Sequence, residues 1–322
     1  MDRPFHPGEI AVQARLGVAE RMHEVGTRVV RERMPEQHQR FFEQLPFMLA
    51  GSVDAGGRPW ATVLVGKPGF VQAPDDAHLV FDTVPIAGDP AAAGLTVGAP
   101  LGLLGIELHT RRRNRVNGEL LVAGPEGLRL QVRQSVGNCP QYIQGREYTW
   151  VRDAGDTRPR AVERIAQLDG DAAWLIAAAD TLFVATHASA AGADVSHRGG
   201  PAGFVVQQDG HTLLVPDYSG NRMFMTLGNL QVDGRAGLLF IDFERGDLLT
   251  LTGRAEIVWS GPEVDALHGA ERAWRFRLDE GRWLRDALPL RWNFRDWAPQ
   301  NARLLTRSAP PAAPAAGAST AR

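Results

Sequence analysis

The sequence repeats part of itself after an offset of about 135 positions, and this repeat constrains the fold more than any other feature. Residues 102–104 read Gly-Leu-Leu and return as residues 237–239, while the Gly-Phe-Val of residues 69–71 returns as residues 203–205. Two copies are too few for a solenoid. The repeat therefore predicts two similar domains that pair within one chain as two subunits pair in a dimer.

Each copy is a series of short strand-like runs separated by turn signals such as DAGGRP and APDDA. Short β-rich runs with turns every ten or so residues are typical of a barrel or a sandwich. The runs of the first copy are FMLAGSVD, RPWATVLVG, HLVFDTV, APLGLLGIEL and NGELLVAG, and those of the second are TLFVATHAS, GPAGFVVQQ, HTLLVPD, RAGLLFIDF and DLLTLTGRAEIV. We therefore predict a mainly β protein with flanking helices.

Apolar spacing predicts helices at four places, from about Val12 to Arg31, from Pro35 through PEQHQRFFEQL, in DAAWLIAAAD, and over 261–278. Charged residues with Gly and Pro mark a linker, and a Pro/Ala/Gly-rich end lacks core-forming side chains. The predicted domains are an N-terminal helical segment 1–34, a first barrel 35–151, a linker 152–160, a second barrel 161–306 and a disordered tail 307–322.

The composition excludes several classes of protein. The formal net charge is -2, so no strong field favours nucleic acid or a membrane surface. The single cysteine, Cys139, cannot form an internal disulfide, and the N-terminus lacks a signal-peptide pattern. The nine histidines form no HxH or HExxH pattern, so no metal site is predicted. We expect a cytoplasmic protein.

The second half carries GGPAGFV, TLLVPDYSGNR, RAGLLFIDF and LLTLTGRAEI in this order. This order resembles the FMN-binding split barrel of the pyridoxamine 5′-phosphate oxidase-like superfamily. In the first half, LLGIELHTRRRNRVNGEL and QSVGNCPQYIQ resemble segments of a tandem branch of that superfamily. The resemblance covers roughly residues 40 to 300. It implies an α+β, mainly β fold of two tandem split β-barrels that form a pseudo-dimer, with FMN between them.

The resemblance also implies where FMN is held. Its phosphate needs arginine or lysine, hydroxyls and backbone N–H groups, and the polar loop after Leu213-Leu214-Val215 offers these. Arg198, one strand earlier, is a second cation, and the arginine-rich run of the first barrel is the wall across the interface. The predicted cofactor-binding residues are Ser196, Arg198, Val215, Pro216, Asp217, Tyr218, Ser219, Asn221, Arg222, Arg111 and Arg113.

The first barrel lacks a comparable set of phosphate-binding residues. Its equivalent loop reads Ala87-Gly88-Asp89-Pro90, where a carboxylate repels a phosphate and proline removes a donor. We therefore expect one phosphate site per chain, in the second barrel. Cys139 has no nearby cysteine and is interpreted as structural or as lining the site.

The resemblance favours an FMN-dependent oxidoreductase of unknown substrate, with an electron donor such as reduced nicotinamide. No catalytic residue can be assigned. One alternative is a binding module for flavin, deazaflavin or haem, for which His109, His187 and His197 are candidate axial ligands. Another is a degenerate barrel pair that acts in protein interaction. A homodimer of tandem chains is compatible with each of them.

Overall fold

The computed structural model describes residues 4–138, 140–189, 191–301 and Leu304. Cys139 and the predicted disordered tail 307–322 lie outside these residues. None of the described helices is long and apolar enough to cross a bilayer. The described helices are α1 (Pro7–Arg15), α2 (Ala19–Val29), α3 (Glu36–Glu43), α4 (Gly170–Ala178), α5 (Met225–Val232) and α6 (Pro262–Asp265), with a 3-10 helix at Pro90–Gly94.

Two eight-stranded antiparallel sheets form the protein, one from each copy of the repeat. The first contains β1 (Val30–Arg31), β2 (Phe47–Val53), β3 (Pro59–Val65), β4 (Val71–Gln72), β5 (His78–Phe81), β6 (Pro100–Glu107), β7 (Arg112–Gly124) and β8 (Gly127–Asn138). After β9 (Gly145–Trp150), the second contains β10 (Ala161–Ile165), β11 (Thr181–Ala188), β12 (Gly192–Gly199), β13 (Val206–Gln207), β14 (Thr212–Tyr218), β15 (Arg235–Ile241), β16 (Leu248–Val258) and β17 (Ala270–Arg285). The last strand, β18 (Leu290–Asp296), pairs with β9 in a separate two-stranded sheet.

The two large sheets have the same topology. The first has the order β3-β2-β6-β7-β8-β5-β4, and the second has β12-β11-β15-β16-β17-β14-β13. The repeated glycines occupy matching places, since Gly102 lies in β6 and Gly237 in β15. Register shifts also match, at Asn117/Gly118 in one sheet and Thr252/Gly253 in the other. The prediction of two tandem split barrels that form a pseudo-dimer is confirmed.

The two barrels meet closely through these glycines. A β-carbon on Gly102 would lie 2.6 Å from the Cα atom of Asp194 in β12. A β-carbon on Gly237 would lie 2.4 Å from the carbonyl oxygen of Pro59 in β3. Each barrel therefore presses its glycine-bearing strand against the other barrel's backbone. An apolar cluster with members from both halves, among them Leu49 and Val195, fills the same interface.

Two predicted helices need correction, and one helix was missed. The first is two helices, α1 and α2, because Gly17 adopts a left-handed φ of 68° between them. The prediction over 261–278 is wrong beyond α6, since residues from Ala270 onward form β17. There, buried Trp274, Phe276 and Leu278 alternate with arginines, which is the period of a strand. Helix α5 was not predicted. It is largely buried and lacks an amphipathic period.

Helix α1 is anchored on α5. A β-carbon on Gly8 would lie 2.2 Å from the carbonyl oxygen of Gly228, so the two helices approach at their glycines. The start of α1 has a capping box in which His6 Nδ1 accepts from the N–H of Gly8, and Glu9 Oε2 accepts from the N–H of His6. Burial, reinforced by the charge of Asp194, raises the pKa of Glu9 to about 8.

We expect Glu9 to make stability fall with rising pH. The folded chain holds the Glu9 proton up to a pKa of about 8, against an ordinary value of 4.5, so folding takes up a proton between these values. The stabilisation that this proton uptake contributes is fully present below pH 4.5, and it is lost as the pH rises through about 8. Between pH 6 and 8 the free energy of unfolding should fall by about 2 kcal/mol from this group.

The measurement is urea unfolding at pH 6 and 8 for the wild type and for Glu9→Gln, with Glu36→Gln as the control. Glu36 is exposed and pairs with Arg40 on the surface of α3. The Glu9→Gln variant should lose most of the pH dependence, and Glu36→Gln should retain it. Equal slopes for all three proteins would show that Glu9 titrates normally in the folded chain.

Candidate functional site

A pocket of about 110 Å³ lies where the two barrels and α5 meet. The first barrel contributes β6, β7 and the segment after β8, and the second contributes β12, β14, the loop after it and the first turn of α5. Its lining residues are Leu104, Arg113, Arg115, Gln141, Tyr142, Ser196, His197, Arg198, Gly199, Phe204, Pro216, Asp217, Tyr218, Gly220, Asn221, Arg222, Met223, Phe224, Met225, Thr226 and Leu227.

Two arginines of β7 reach across the interface into this pocket. Arg115 is buried, and it lies 2.8 Å from Asp194 and donates to Ser196 Oγ. Nη1 of Arg113 lies 3.0 Å from Nδ1 of His197. Burial lowers the pKa of His197 well below its ordinary value, and the neighbouring arginines lower it further. The His197 ring is therefore neutral, and its Nδ1 accepts the hydrogen bond that Arg113 donates.

The opposite wall carries a second group of charges. Asp217 pairs with Arg272 at 2.5 Å and lies 3.8 Å from Arg198. Burial raises the pKa of Asp217, and Arg198 and Arg272 oppose that rise. Arg222 lies 3.8 Å from Glu271. The complete cluster is Arg113, Arg115, Arg198, Arg222 and Arg272 against Asp194, Asp217 and Glu271, an excess of two positive charges.

The loop between β14 and α5 lines the pocket and holds a strained backbone. Arg222 and Phe224 both have a left-handed φ of 60°, which costs backbone energy in residues other than glycine. Oδ1 of Asn221 accepts from the N–H of Met223 at 3.1 Å and fixes the turn. Helix α5 then begins without a side-chain cap, and its first-turn residues line the pocket. An uncapped helix N-terminus favours a bound anion.

Several polar atoms around the pocket are buried without a hydrogen-bond partner among the described residues. They include Thr226 Oγ1, Arg198 Nε, Arg115 Nε and His197 Nε2. A buried polar group that lacks a partner is costly unless something binds it. The pocket is therefore arranged for a small polar ligand, and the charge excess makes that ligand an anion.

An aromatic pair connects the two barrels beside the loop. Tyr142 stacks on Tyr218 with ring centroids 5.3 Å apart, and its hydroxyl donates to the carbonyl oxygen of Ser219 at 3.0 Å. Tyr142 holds a left-handed φ of 66°. The two rings tie the segment after β8 to the loop that follows β14.

Residues 168–298 match the family model described as Pyridoxamine 5'-phosphate oxidase. The second barrel is a member of the pyridoxamine 5′-phosphate oxidase-like superfamily. The match includes every second-barrel residue of the pocket and excludes Arg113 and Arg115, which the first barrel supplies. The sequence has no match among curated proteins.

Solved structures similar to this chain include HupZ of Group A Streptococcus at 18% identity, with 33% of this chain and 84% of that chain covered and a TM-score of 0.28. The heme storage protein HutZ from Vibrio cholerae matches at 18% identity, with 37% and 95% covered and a TM-score of 0.27. A FAD-binding protein from Mesorhizobium loti matches at 13% identity, with 38% and 97% covered and a TM-score of 0.26. Scores this low carry no inference about ligand or reaction.

Most of the predicted site residues lie together around this pocket. The residues that line the pocket are Ser196, Arg198, Pro216, Asp217, Tyr218, Asn221, Arg222 and Arg113. Val215 packs in the core of the second barrel, and Ser219 is exposed and offers its carbonyl oxygen to Tyr142. Arg111 lies outside the lining, because it donates to Asp296 and to the carbonyl oxygen of Ile143.

Sequence reasoning left Arg115 and the first turn of α5 out of the predicted site. Arg115 stood in the basic run 111–115, and its contact with Asp194 depends on the pairing of the two barrels. The signal for α5 was the run MFMTLGNL directly after the polar loop, which is too apolar for a surface turn.

The first barrel has a cavity of about 490 Å³ at the repeat-related position, but it carries one cation, Lys67, against the carboxyl groups of Asp82, Glu126 and Asp153. Asp89, just before the 3-10 helix, is buried in the same barrel and brings a further carboxyl group rather than a cation. Its carboxylate accepts from Thr62 and from the N–H of Ala91, and burial raises its pKa to about 6. Thr62 faces Ala50 across the first sheet as Ser196 faces Val184 across the second. In both barrels the hydroxyl at this position donates to a protein carboxylate, Asp89 in the first and Asp194 in the second.

Proposed function

We propose that the chain binds FMN, with the phosphate in the pocket between the barrels, and that it is an FMN-dependent oxidoreductase. The observation that carries the proposal is the excess of two positive charges beside the uncapped first turn of α5. A phosphate monoester carries about -1.5 to -2 charges at neutral pH. Its charge therefore matches that of the cluster.

The residues present fit the phosphate end of FMN. Arg198 Nε and Thr226 Oγ1 are buried donors that lack a partner among the described residues. Arg222, on the exposed side of the loop, supplies a further cation. A pocket of about 110 Å³ has room for a phosphate but not for a three-ring flavin, so it holds one end of the molecule.

When bound, FMN supplies hydride or single-electron transfer at its isoalloxazine ring. The chain's own residues bind and orient the molecule. Arg198, Arg222 and the first turn of α5 hold the phosphate, and the contact of Arg115 with Asp194 fixes the wall between the barrels. Because Nδ1 of neutral His197 accepts from Arg113, its Nε2 carries the ring proton and can donate to the phosphate. The substrate is a small molecule, and reduced nicotinamide is the proposed electron donor.

A haem-binding function has one observation in its favour. His197 is buried and neutral, and its Nε2 lacks a hydrogen-bond partner among the described residues. An axial ligand needs a free nitrogen lone pair, and the hydrogen bond that Nδ1 accepts from Arg113 leaves the ring proton on Nε2. The volume of the pocket also opposes haem, because haem is much larger than a phosphate. Deazaflavin cofactors that carry a phosphate would satisfy the same anion pocket.

The test is an absorbance titration of the purified protein with FMN. Arg222→Ala is the test variant and Arg295→Ala the control, since the side chains of both arginines are about half exposed and each lies near one glutamate. We expect flavin bands that saturate near one equivalent per chain, about tenfold weaker binding for Arg222→Ala, and no change for the control.

A protein that does not perturb the FMN spectrum would refute the proposal. Equal weakening by both arginine variants would mean that general charge, rather than the pocket, attracts the ligand. A Soret band on addition of haem, lost in His197→Ala, would instead support the haem alternative.

A further inference from the structure

A second cavity, of about 650 Å³, lies beside the anion pocket on the other side of Met225. The start of the chain closes it, because Pro4, Phe5, His6 and Glu9 form one wall. The other walls come from β7, β8, the end of β11, the start of β12 and α5. The family match begins at residue 168, so the N-terminal wall belongs to this chain's own extension.

This cavity carries no net charge, unlike the anion pocket. Asp194 is paired with Arg115 at 2.8 Å, and Glu119 is paired with Arg133 at 3.4 Å. Burial lowers the pKa of both His6 and His187, which leaves each ring neutral near pH 7. Glu9 is buried and its raised pKa keeps it mostly protonated at that pH. A bound ion would therefore lose its hydration without gaining a counter-charge in this cavity, so an uncharged ligand is favoured.

The polar groups of the cavity form a complementary set. Oδ1 of Asn117 is buried without a hydrogen-bond partner among the described residues, and so is Nδ1 of His187. Oε2 of Glu9 accepts from the N–H of His6 at 2.9 Å, which leaves the carboxyl proton to donate elsewhere. A ligand with an amide edge offers an N–H to Asn117 and a carbonyl oxygen to Glu9. Phe5, Pro100 and Met225 supply apolar surface for its faces.

The backbone holds Glu9 in place independently of any ligand. The capping box fixes its side chain, and the contact between Gly8 and Gly228 fixes the helix that carries it. We propose that this cavity is a second binding site, for an uncharged planar ligand with an amide edge, and that Glu9, Asn117 and His187 are its polar contacts. The ligand is either a separate substrate or the ring of a flavin whose phosphate occupies the neighbouring pocket.

The probe is lumiflavin, an uncharged flavin ring without ribityl or phosphate, followed by its fluorescence as the full chain is added at pH 7. We expect saturable binding that is about tenfold weaker in Glu9→Ala and in His187→Ala. Glu9→Gln keeps a neutral donor and should bind as the wild type does. Above pH 8, binding should weaken in the wild type and stay constant in Glu9→Gln.

Arg198→Met separates this proposal from the proposed function, since it should impair FMN and leave lumiflavin unaffected. Competition between FMN and lumiflavin would identify the cavity as the place of the flavin ring, and simultaneous binding would identify a separate substrate site. Absence of lumiflavin binding, or binding that is unchanged in Glu9→Ala and His187→Ala, would overturn the proposal. This conclusion would hold whether or not the protein binds FMN.

Discussion

Replacing Gly237 with valine is expected to destabilise the protein by about 3 kcal/mol or more, because overpacking against fixed backbone is not relieved by side-chain rotation. A β-carbon at this position would lie 2.4 Å from the carbonyl oxygen of Pro59 and 2.8 Å from the Cα atom of Trp60. These atoms belong to β3 of the other barrel. The strain therefore falls on the contact between the barrels rather than within one sheet.

The measurement is urea unfolding of Gly237→Val, with Gly124→Val as the control. Gly124 also lies in a strand, but nothing described lies within 4 Å of its virtual β-carbon. Gly102→Val should behave as Gly237→Val does, because its virtual β-carbon meets the backbone of Asp194 across the pseudo-twofold relation. If the Gly237 and Gly124 variants were equally stable, the barrels would not pack through these glycines.

Replacing Arg198 with methionine is expected to weaken FMN binding by about 10- to 100-fold, the range for loss of a hydrogen bond to a charged group. The Arg198 side chain is largely buried, and its Nε has no hydrogen-bond partner among the described residues. Methionine keeps the apolar stem and removes the charge. Asp217 keeps Arg272 as its partner, so the loss of Arg198 does not leave that carboxylate unpaired.

The decisive measurement compares FMN with riboflavin, which has the same ring without the phosphate. Arg198→Met should weaken FMN binding and leave riboflavin binding unchanged, and the exposed control Arg295→Met should affect neither. Equal losses for both ligands would assign Arg198 a structural role. Wild-type affinity for FMN in the variant would place the phosphate elsewhere.

The fold was predictable from sequence because the signals were local and occurred twice. Gly102 and Gly237 mark the same strand of each sheet, and alternation of apolar residues defines strands without any knowledge of the tertiary structure. The two-barrel prediction therefore followed from the repeat. The long β17 was mistaken for a helix at its start, because GPEVDAL does form a short helix and no turn signal was recognised before Ala270.

The candidate site was predictable only in part. The strand bearing Ser196 and Arg198 and the loop bearing Asn221 and Arg222 stand close together in sequence, so the order of motifs identified them. Arg111 and Arg115 look alike in the sequence, yet one pairs with Asp296 and the other with Asp194. The partner of each arginine depends on contacts between residues far apart in the chain, and no local sequence pattern encodes these contacts.

The pairing of β9 with β18 has a consequence for how the chain is made. Trp150 lies opposite Leu290, so a strand from the end of the first half obtains its partner from the end of the second half. During synthesis, the edge of β9 stays without its neighbour until β18 has left the ribosome. At about 5–20 residues per second this delay lasts several seconds or more. Assembly of the first half therefore cannot be completed before the second half emerges, and cutting the chain between them would leave two fragments that each expose a strand edge.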